Sequence, residues 1–263
     1  EKSFGPSKMA SDQKNFREET GFYDSCVVGY SDDHRETSAS GGLCTYLLEQ
    51  LLRAKIVDRV AVVARQTDDS NRLFAYKSVS SIDELRQCSG SAYYQVPISD
   101  LIPEVMAEKT SRWAIMAVPC LAAAIRKASL IVPRLHNNIK YVFGLVCGQY
   151  QNVMYTEFLS SHSGIDPKDI RAVDYRIKTK SGPAHNFCFQ AESYDGVKGR
   201  LVPYNGLPSY LGWHGYFRIN SCNHCMDVFA EAADACFMDA WISEYLGDPR
   251  GTSFVIVRDH TIH

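Results

Sequence analysis

The chain predicts an α/β fold: a mixed or largely parallel sheet with flanking helices, plus an antiparallel hairpin and long loops near the C-terminus. Three observations carry that expectation. Short apolar runs at 60–64 and 141–146, rich in Val and bounded by polar or turn residues, have the length and composition of buried strands. Helical patterns at 42–54 and 121–128 lie between such runs, as strand–helix–strand units require. Segments 170–178 and 187–191 flank the turn-prone Lys180-Ser181-Gly182-Pro183, the signature of an antiparallel pair.

In order, residues 1–20 are polar and read as a flexible N-terminal segment. Cys26-Val27-Val28-Gly29-Tyr30 reads as a short strand, followed by the Gly/Ser loop Ser38-Ala39-Ser40-Gly41-Gly42. Leu43, Leu47, Leu51 and Ala54 recur at helical spacing, giving an amphipathic helix over 42–54, and 60–64 is the next strand. A second unit starts with the strand 113–118, ended by Pro119. The Ala-rich helix 121–128 and the strand 141–146 complete it. Segment 199–221, rich in Gly, Pro and Tyr, reads as a long functional loop, and 254–257 as a closing strand. The division expected is 21–105 as an N-terminal half and 106–263 as a C-terminal half carrying a cysteine cluster.

Composition narrows the function. Of 263 residues, 45% are hydrophobic and 22% charged, as in ordinary globular chains. A formal net charge of −2 provides no basic field for nucleic acid or for a membrane surface. No run approaches ~18 apolar residues, so no membrane-spanning helix is expected. The start, Glu1-Lys2-Ser3, has neither an initiator Met nor a signal-peptide core, and the chain is read as a piece or processed form of something longer. Nine cysteines, an odd number in a long chain, argue against a disulfide framework and for a reducing, cytoplasmic setting.

The cysteines carry the chemistry. Cys120 and Cys147 each follow an apolar strand, and a parallel crossover brings the carboxyl ends of both strands to one sheet edge. The helix start at Cys120 is expected to favour its thiolate. Cys222 and Cys225 form a C-x-x-C, whose two-residue gap lets both sulfurs reach one centre. Together the four suit an iron–sulfur cluster or a structural zinc; the plainer reading of Cys120 and Cys147 is two buried spectators. His224 is a ligand alternative, more simply read as facing solvent. Cys26, Cys44, Cys88, Cys188 and Cys236 lie in or beside apolar runs and read as small core residues.

The Ser40-Gly41-Gly42 loop opens onto a helix start, where glycines permit close approach and free N–H groups attract phosphate, although an ordinary capped helix reads the same way. Gly90-Ser91-Ala92-Tyr93-Tyr94 is a second small-residue turn, with aromatics able to stack on a ring system. Neither a G-x-S-x-G elbow nor an H-E-x-x-H helix is present.

Five stretches then fall in one order: Ser40-Gly41-Gly42-Leu43-Cys44-Thr45, Gly90-Ser91-Ala92-Tyr93, Val118-Pro119-Cys120, Gly144-Leu145-Val146-Cys147-Gly148, and Cys222-x-x-Cys225-x-Asp227 with Asp239-Ala240-Trp241. In these the chain resembles the beta subunits of the coenzyme F420 hydrogenase/dehydrogenase family, from about Tyr23 to Arg258. The resemblance implies an FAD and iron–sulfur flavoprotein passing electrons between a 4Fe-4S cluster and a hydride-type substrate. It implies Ser40, Gly41, Gly42, Thr45, Gly90, Ser91, Tyr93 and Arg176 near the flavin, and Cys120, Cys147, Cys222 and Cys225 as cluster ligands. A ferredoxin or partner redox subunit, and a small-molecule hydride donor or acceptor, would complete the path; self-association is left open. Ala92 stands where family members often carry lysine, and Leu121 where they often carry glutamine. The alternative on the same fold is a zinc-stabilised or degenerate binding module without redox chemistry.

Overall fold

In the computed structural model, residues 15–66 and 72–262 are described. A seven-stranded sheet organises the chain, in the order β3 (Ser25–Gly29), β12 (Ser253–Val257), β11 (Ala235–Asp239), β7 (Ile139–Leu145), β6 (Trp113–Ala117), β4 (Arg59–Arg65) and β5 (Phe74–Val79). Strands β4, β6, β7 and β11 are mutually parallel, whereas β5 and β12 run against them. A smaller antiparallel sheet joins β8 (Ile170–Lys178), β9 (Phe187–Ser193) and β10 (Val202–Pro203). The mixed sheet with helices and the separate hairpin are the α/β architecture expected. Strands from both expected halves share the large sheet.

Alternation along the strands explains the two cores. Ala61, Ile115, Val142, Cys236 and Ile256 face one side, beneath α4 (Ile102–Ala107), α5 (Pro119–Ile131) and α6 (Pro133–Asn138). Val60, Val62, Ala114, Phe143, Phe237 and Val255 face the other, beneath α2 (Leu43–Arg53) and α3 (Ile82–Gln87). Both faces are covered, so the central strands read as unbroken apolar runs rather than alternating ones. A third cluster sits where α7 (Val153–Ser163) packs on β8 and β9, through Tyr155, Leu159, Val173, Tyr175 and Phe189.

Several expectations shift. Strands β3 and β4 are not neighbours; four strands separate them, because the late strands β11 and β12 occupy the space beside β3. Segment 199–221 is partly regular, containing β10 and α8 (Leu207–Trp213). Of the first twenty residues, 1–14 lie outside the described residues, and β1 (Asn15–Arg17) pairs with β2 (Gly21–Tyr23). Cys26 is exposed rather than core, because β3 is an edge strand; Cys188 and Cys236 are buried and Cys44 and Cys88 half-buried. No described helix is long and apolar enough to cross a membrane.

The loop before β11 is clamped onto the parallel core. The buried Asp234 carboxylate accepts the Val142 N–H at 2.7 Å and Arg126 of α5 at 2.5 Å. Beside it, Gly144 gives the loop room: a Cβ there would lie 2.3 Å from Ala230 Cβ and 3.1 Å from Ala233 Cβ. Since no well-packed core absorbs such a contact freely, Gly144→Ala should lower unfolding free energy by about 1–3 kcal/mol. Urea denaturation with an unchanged slope and a lower midpoint is the expected result; an unshifted midpoint would mean that the loop is not packed this way.

Candidate cofactor site

Strands β6 and β7 are adjacent and parallel, with Ala117 opposite Gly144, so Cys120 and Cys147 leave the same edge of the sheet. Pro119 opens α5 and places Cys120 in its first turn. The Cys147 N–H donates to Val228 O at 3.0 Å, which draws the segment after the C-x-x-C alongside. From the other end, the Tyr150 N–H donates to Cys222 Sγ at 3.2 Å, and the Ile219 N–H to Tyr150 O at 3.2 Å. Three separated segments are thereby tied together by main-chain contacts.

The thiols sense each other. Burial pushes Cys147 up to about 12, and the nearby Cys120, Cys222 and Cys225 add to the rise. Cys120 is also raised, first by burial and then by Cys225 and Cys222. Its own N–H and that of Leu121 pull the other way without winning, so the helix start does not lower this thiol as the sequence suggests. Donors do converge on the sulfurs, however: Leu121 N–H on Cys120, Gln149 N–H on Cys147 and Tyr150 N–H on Cys222. Cys225 is exposed, next to Met226, which is 96% accessible, and His224 faces solvent. Among the described residues, no three His, Cys, Asp or Glu side chains close on a single metal ion. The four thiols share a neighbourhood without meeting at one point.

The glycine turn sits elsewhere on the fold, between β3 and α2. Gly41 and Gly42 are buried and serve packing inside the protein. A Cβ on Gly41 would lie 2.5 Å from Ser253 N and 2.8 Å from Gly29 O. One on Gly42, whose φ is +79°, would lie 2.7 Å from His34 Cβ. The part of the turn that remains half-exposed is Ala39-Ser40 and the start of α2, including Thr45. Ser40 Oγ donates to Thr252 O at 2.9 Å. Gly90 differs: its φ is +129° and a Cβ there would meet nothing within 4 Å, so its backbone is open to a ligand.

Beneath this turn lies a buried polar network that the sequence did not disclose. His34 shares hydrogen bonds with Ser31 Oγ at 2.8 Å and with Glu49 at 2.9 Å. Glu49 also accepts from Arg53 of its own helix and from Arg86 of α3, which leads to Gly90-Ser91. One carboxylate therefore links the supports of both small-residue turns.

Arg176 joins the two sheets. Its Nη1 and Nη2 donate to Asp239 Oδ2 and Oδ1 at 2.8 and 3.0 Å, with both side chains largely buried. The guanidinium lies 4.4 Å from the Phe187 ring centroid and 5.6 Å from that of Trp241. Burial opposes its charge, but hydrogen bonds and attraction from Tyr93 and Asp239 hold it above the ordinary range. Tyr93 also bonds Ser91 and stands edge-on to Trp213, 5.0 Å between centroids. Tyr93, Tyr204, Phe187 and Trp213 line a narrow aromatic cleft together with the buried Ser209. Thus Ser91, Tyr93 and Arg176 are brought together, with Asp239, Trp213 and Tyr204 as neighbours. Asp239 stands in a stretch the sequence singles out, but its pairing with Arg176, 63 residues away, had no local signal.

The α/β chain thus gathers four thiols around the carboxyl edge of β6 and β7 and sets one small-residue turn, Gly90-Ser91, beside an arginine and aromatic rings. Residues 26–103 match the family model described as Coenzyme F420 hydrogenase/dehydrogenase, beta subunit N-term. Residues 110–263 match the companion model for the C-terminal part of the same beta subunit. The chain belongs to this family of redox-enzyme subunits. A chain of the F420-reducing NiFe hydrogenase complex from Methanosarcina barkeri has a similar fold, with a TM-score of 0.68 at 18% identity over 95% of this chain and 79% of that one. No curated protein matches it.

The Glu49 network makes a pH prediction. Burial works against the Glu49 charge, but hydrogen bonds from Arg86, Arg53 and His34 outweigh it and hold the carboxyl at about 2. A depressed acid stabilises the fold at pH values above its unfolded pKa of about 4.3 and loses that contribution as pH falls toward 2. Unfolding midpoints measured from pH 6 to pH 2.5 should therefore fall less steeply in Glu49→Gln than in the parent. Parallel curves would contradict this role.

Proposed function

We propose that this chain is the flavin and iron–sulfur subunit of an oxidoreductase, holding FAD and a 4Fe-4S cluster and exchanging electrons with a hydride-type substrate, deazaflavin-like or other. The observation that carries the reading is the gathering of Cys120, Cys147, Cys222 and Cys225, with main-chain N–H groups directed at three of the four sulfurs. A purely thiolate donor set is what cubane clusters take. A tetrahedral zinc, with Zn–S near 2.3 Å, would draw its sulfurs to about 3.8 Å of one another; a 4Fe-4S cluster would take one thiolate on each of its four irons and so suits sulfurs held further apart. When bound, the cluster supplies single electrons and the flavin links them to two-electron hydride chemistry.

The chain's own residues do the rest. The N–H donors of Leu121, Gln149 and Tyr150 offset thiolate charge, a main lever on cluster potential. Ser40, Gly41, Gly42, Thr45, Gly90, Ser91, Tyr93 and Arg176 are assigned to FAD through the family; the open backbone at Gly90 and the aromatic surround of Tyr93 and Arg176 support the second turn, whereas Gly41 and Gly42 are enclosed by protein. The exposed Cys225 and Met226, with Tyr216 nearby in sequence and 73% accessible, favour a ferredoxin or redox subunit docking on the thiol side. A cytoplasmic setting accords with the unpaired cysteines.

Anaerobic purification followed by iron, acid-labile sulfide and flavin analysis tests the reading. Iron and sulfide at ~4 each per chain are expected, with bound FAD and visible absorption bleached by dithionite. Cys222→Ser should lose that absorption and, because metal sites are worth about 10–16 kcal/mol in small domains, much of its solubility. Zinc alone, without flavin, would overturn the proposal in favour of a structural metal.

A further inference from the structure

On β8, Arg176 and Lys178 are two residues apart at a register shift of the strand, and the Arg176 charge acts on the Lys178 ammonium. Their environments differ. Arg176 is spent on Asp239. Lys178 has no carboxylate in contact among the described residues; its ammonium donates to three main-chain carbonyls, Arg35 O, Ser40 O at 3.1 Å and Arg250 O at 2.6 Å. Those carbonyls belong to three stretches that surround the glycine turn. Arg35 strengthens the arrangement by donating to Gly251 O at 2.6 Å and pairing with Asp248 at 2.9 Å. Arg250 pairs with Asp248 as well.

The local charge balance is positive. The groups facing Lys178 are Arg176 on its own strand, Arg35 and Glu36 at the end of α1 (Asp32–Arg35), Asp239 at the end of β11, and Arg250 and Asp248 in the loop before β12. With Lys178 itself that makes four cations against three carboxylates. The surplus is shared by the cluster, since Asp248 serves both Arg35 and Arg250 while Glu36 and Asp239 act on the Lys178 ammonium, and that ammonium contacts Ser40, whose next two residues are enclosed by protein. The turn therefore cannot hold an anion by exposing glycine backbone, and needs a charge instead.

We propose that Lys178 is the positioning residue that makes the Ser40–Gly42 turn a receptor for the pyrophosphate of a dinucleotide cofactor, by pinning three loops together and keeping the cluster beneath the turn one positive charge in excess. This rests on the flavin reading and adds to it the residue that discriminates a phosphorylated flavin from a bare one. Burial and the neighbouring Arg176 lower the Lys178 ammonium to about 8. Arginine and carboxylate side chains ordinarily titrate far from that value, so the lysine sets the pH response of the turn near pH 8.

Titration of the purified chain with FAD and with riboflavin, followed by flavin fluorescence from pH 6.5 to pH 9.5, is the test. The parent should bind FAD more tightly than riboflavin and lose at least tenfold in FAD affinity as pH rises through 8, with riboflavin affinity level. Lys178→Met should bind FAD at least tenfold more weakly at pH 7, keep riboflavin affinity, and show no pH dependence near 8. Lys178→Gln, which retains two donors for the carbonyls but no charge, should behave like Lys178→Met if charge decides. Unaltered riboflavin binding in the variants also demonstrates that they are folded. A parent that binds neither flavin overturns the flavin reading and this inference together. A parent that binds FAD alongside a Lys178→Met protein that binds it equally well overturns the inference alone. Equal loss of FAD and riboflavin in Lys178→Met also overturns it, since the lysine would then act only on the fold.

Discussion

Everything chemical in this molecule depends on the parallel alignment of β6, β7 and β11. Parallel strands must send their chain ends to one edge, and that edge is the one place where consecutive strand–helix units deliver residues distant in sequence to a common point. Cys120 and Cys147 are delivered this way. The C-x-x-C is not; it precedes β11 and is held by contacts reaching back, Val228 O to the Cys147 N–H and Cys222 Sγ to the Tyr150 N–H. The Asp234 carboxylate, bonded to both Arg126 and the Val142 N–H, locks that returning loop onto the strand beside which Cys147 emerges. A one-residue slip of β7 would turn its side chains to the opposite face and carry Cys147 away from the other thiols.

The second organising interaction is electrostatic. Beside the apolar packing of Phe74 and the Arg65–Asp174 pair, two cations of β8 tie the small sheet to β11 and to the loops around the glycine turn, and the two solve the cost of burial differently. Arg176 is matched by a bidentate carboxylate, an arrangement that adds little net stability but is costly to break and so fixes geometry. Lys178 is matched only by carbonyl dipoles, which satisfy its donors while leaving its charge. Structure and function part company here: the paired cation specifies the fold, and the unpaired one is available to a ligand's negative charge. The glycines follow the same division, with Gly41 and Gly42 filled in by protein and Gly90 left open.

How much of this could be read from the sequence depended on distance along the chain. Strands β6 and β7 and the helix between them were legible because both faces of the sheet are covered, leaving continuous apolar runs. The hairpin of β8 and β9 was announced by its turn. Strand β5 was not, since Phe74-Ala75-Tyr76-Lys77-Ser78-Val79 mixes polar and small residues as an edge strand does. Strand β11 was missed because Cys236 looked like a spectator in a run of only five residues. Helix α7 hides its inner face behind Thr156, Ser160 and Ser163, buried hydroxyls that break the apolar stripe. At the candidate site, the neighbourhood of the four cysteines followed from spacing and motif order, whereas Arg176 came only through the family resemblance. Asp239 as partner, Glu49 as support and Lys178 as staple were set by contacts 63, 15 and more than 70 residues away. A trace of the last was present, since Arg176 and Lys178 stand two residues apart on one strand and so concentrate positive charge there.

The most direct measurement is X-ray absorption at the iron edge on anaerobically prepared protein. All-sulfur coordination together with an iron–iron scattering shell, both lost when Cys120 or Cys147 is replaced by serine, is the outcome that the convergent thiols demand. Iron bound through nitrogen and oxygen with no neighbouring iron, or an iron–iron shell indifferent to those two cysteines, would contradict the account.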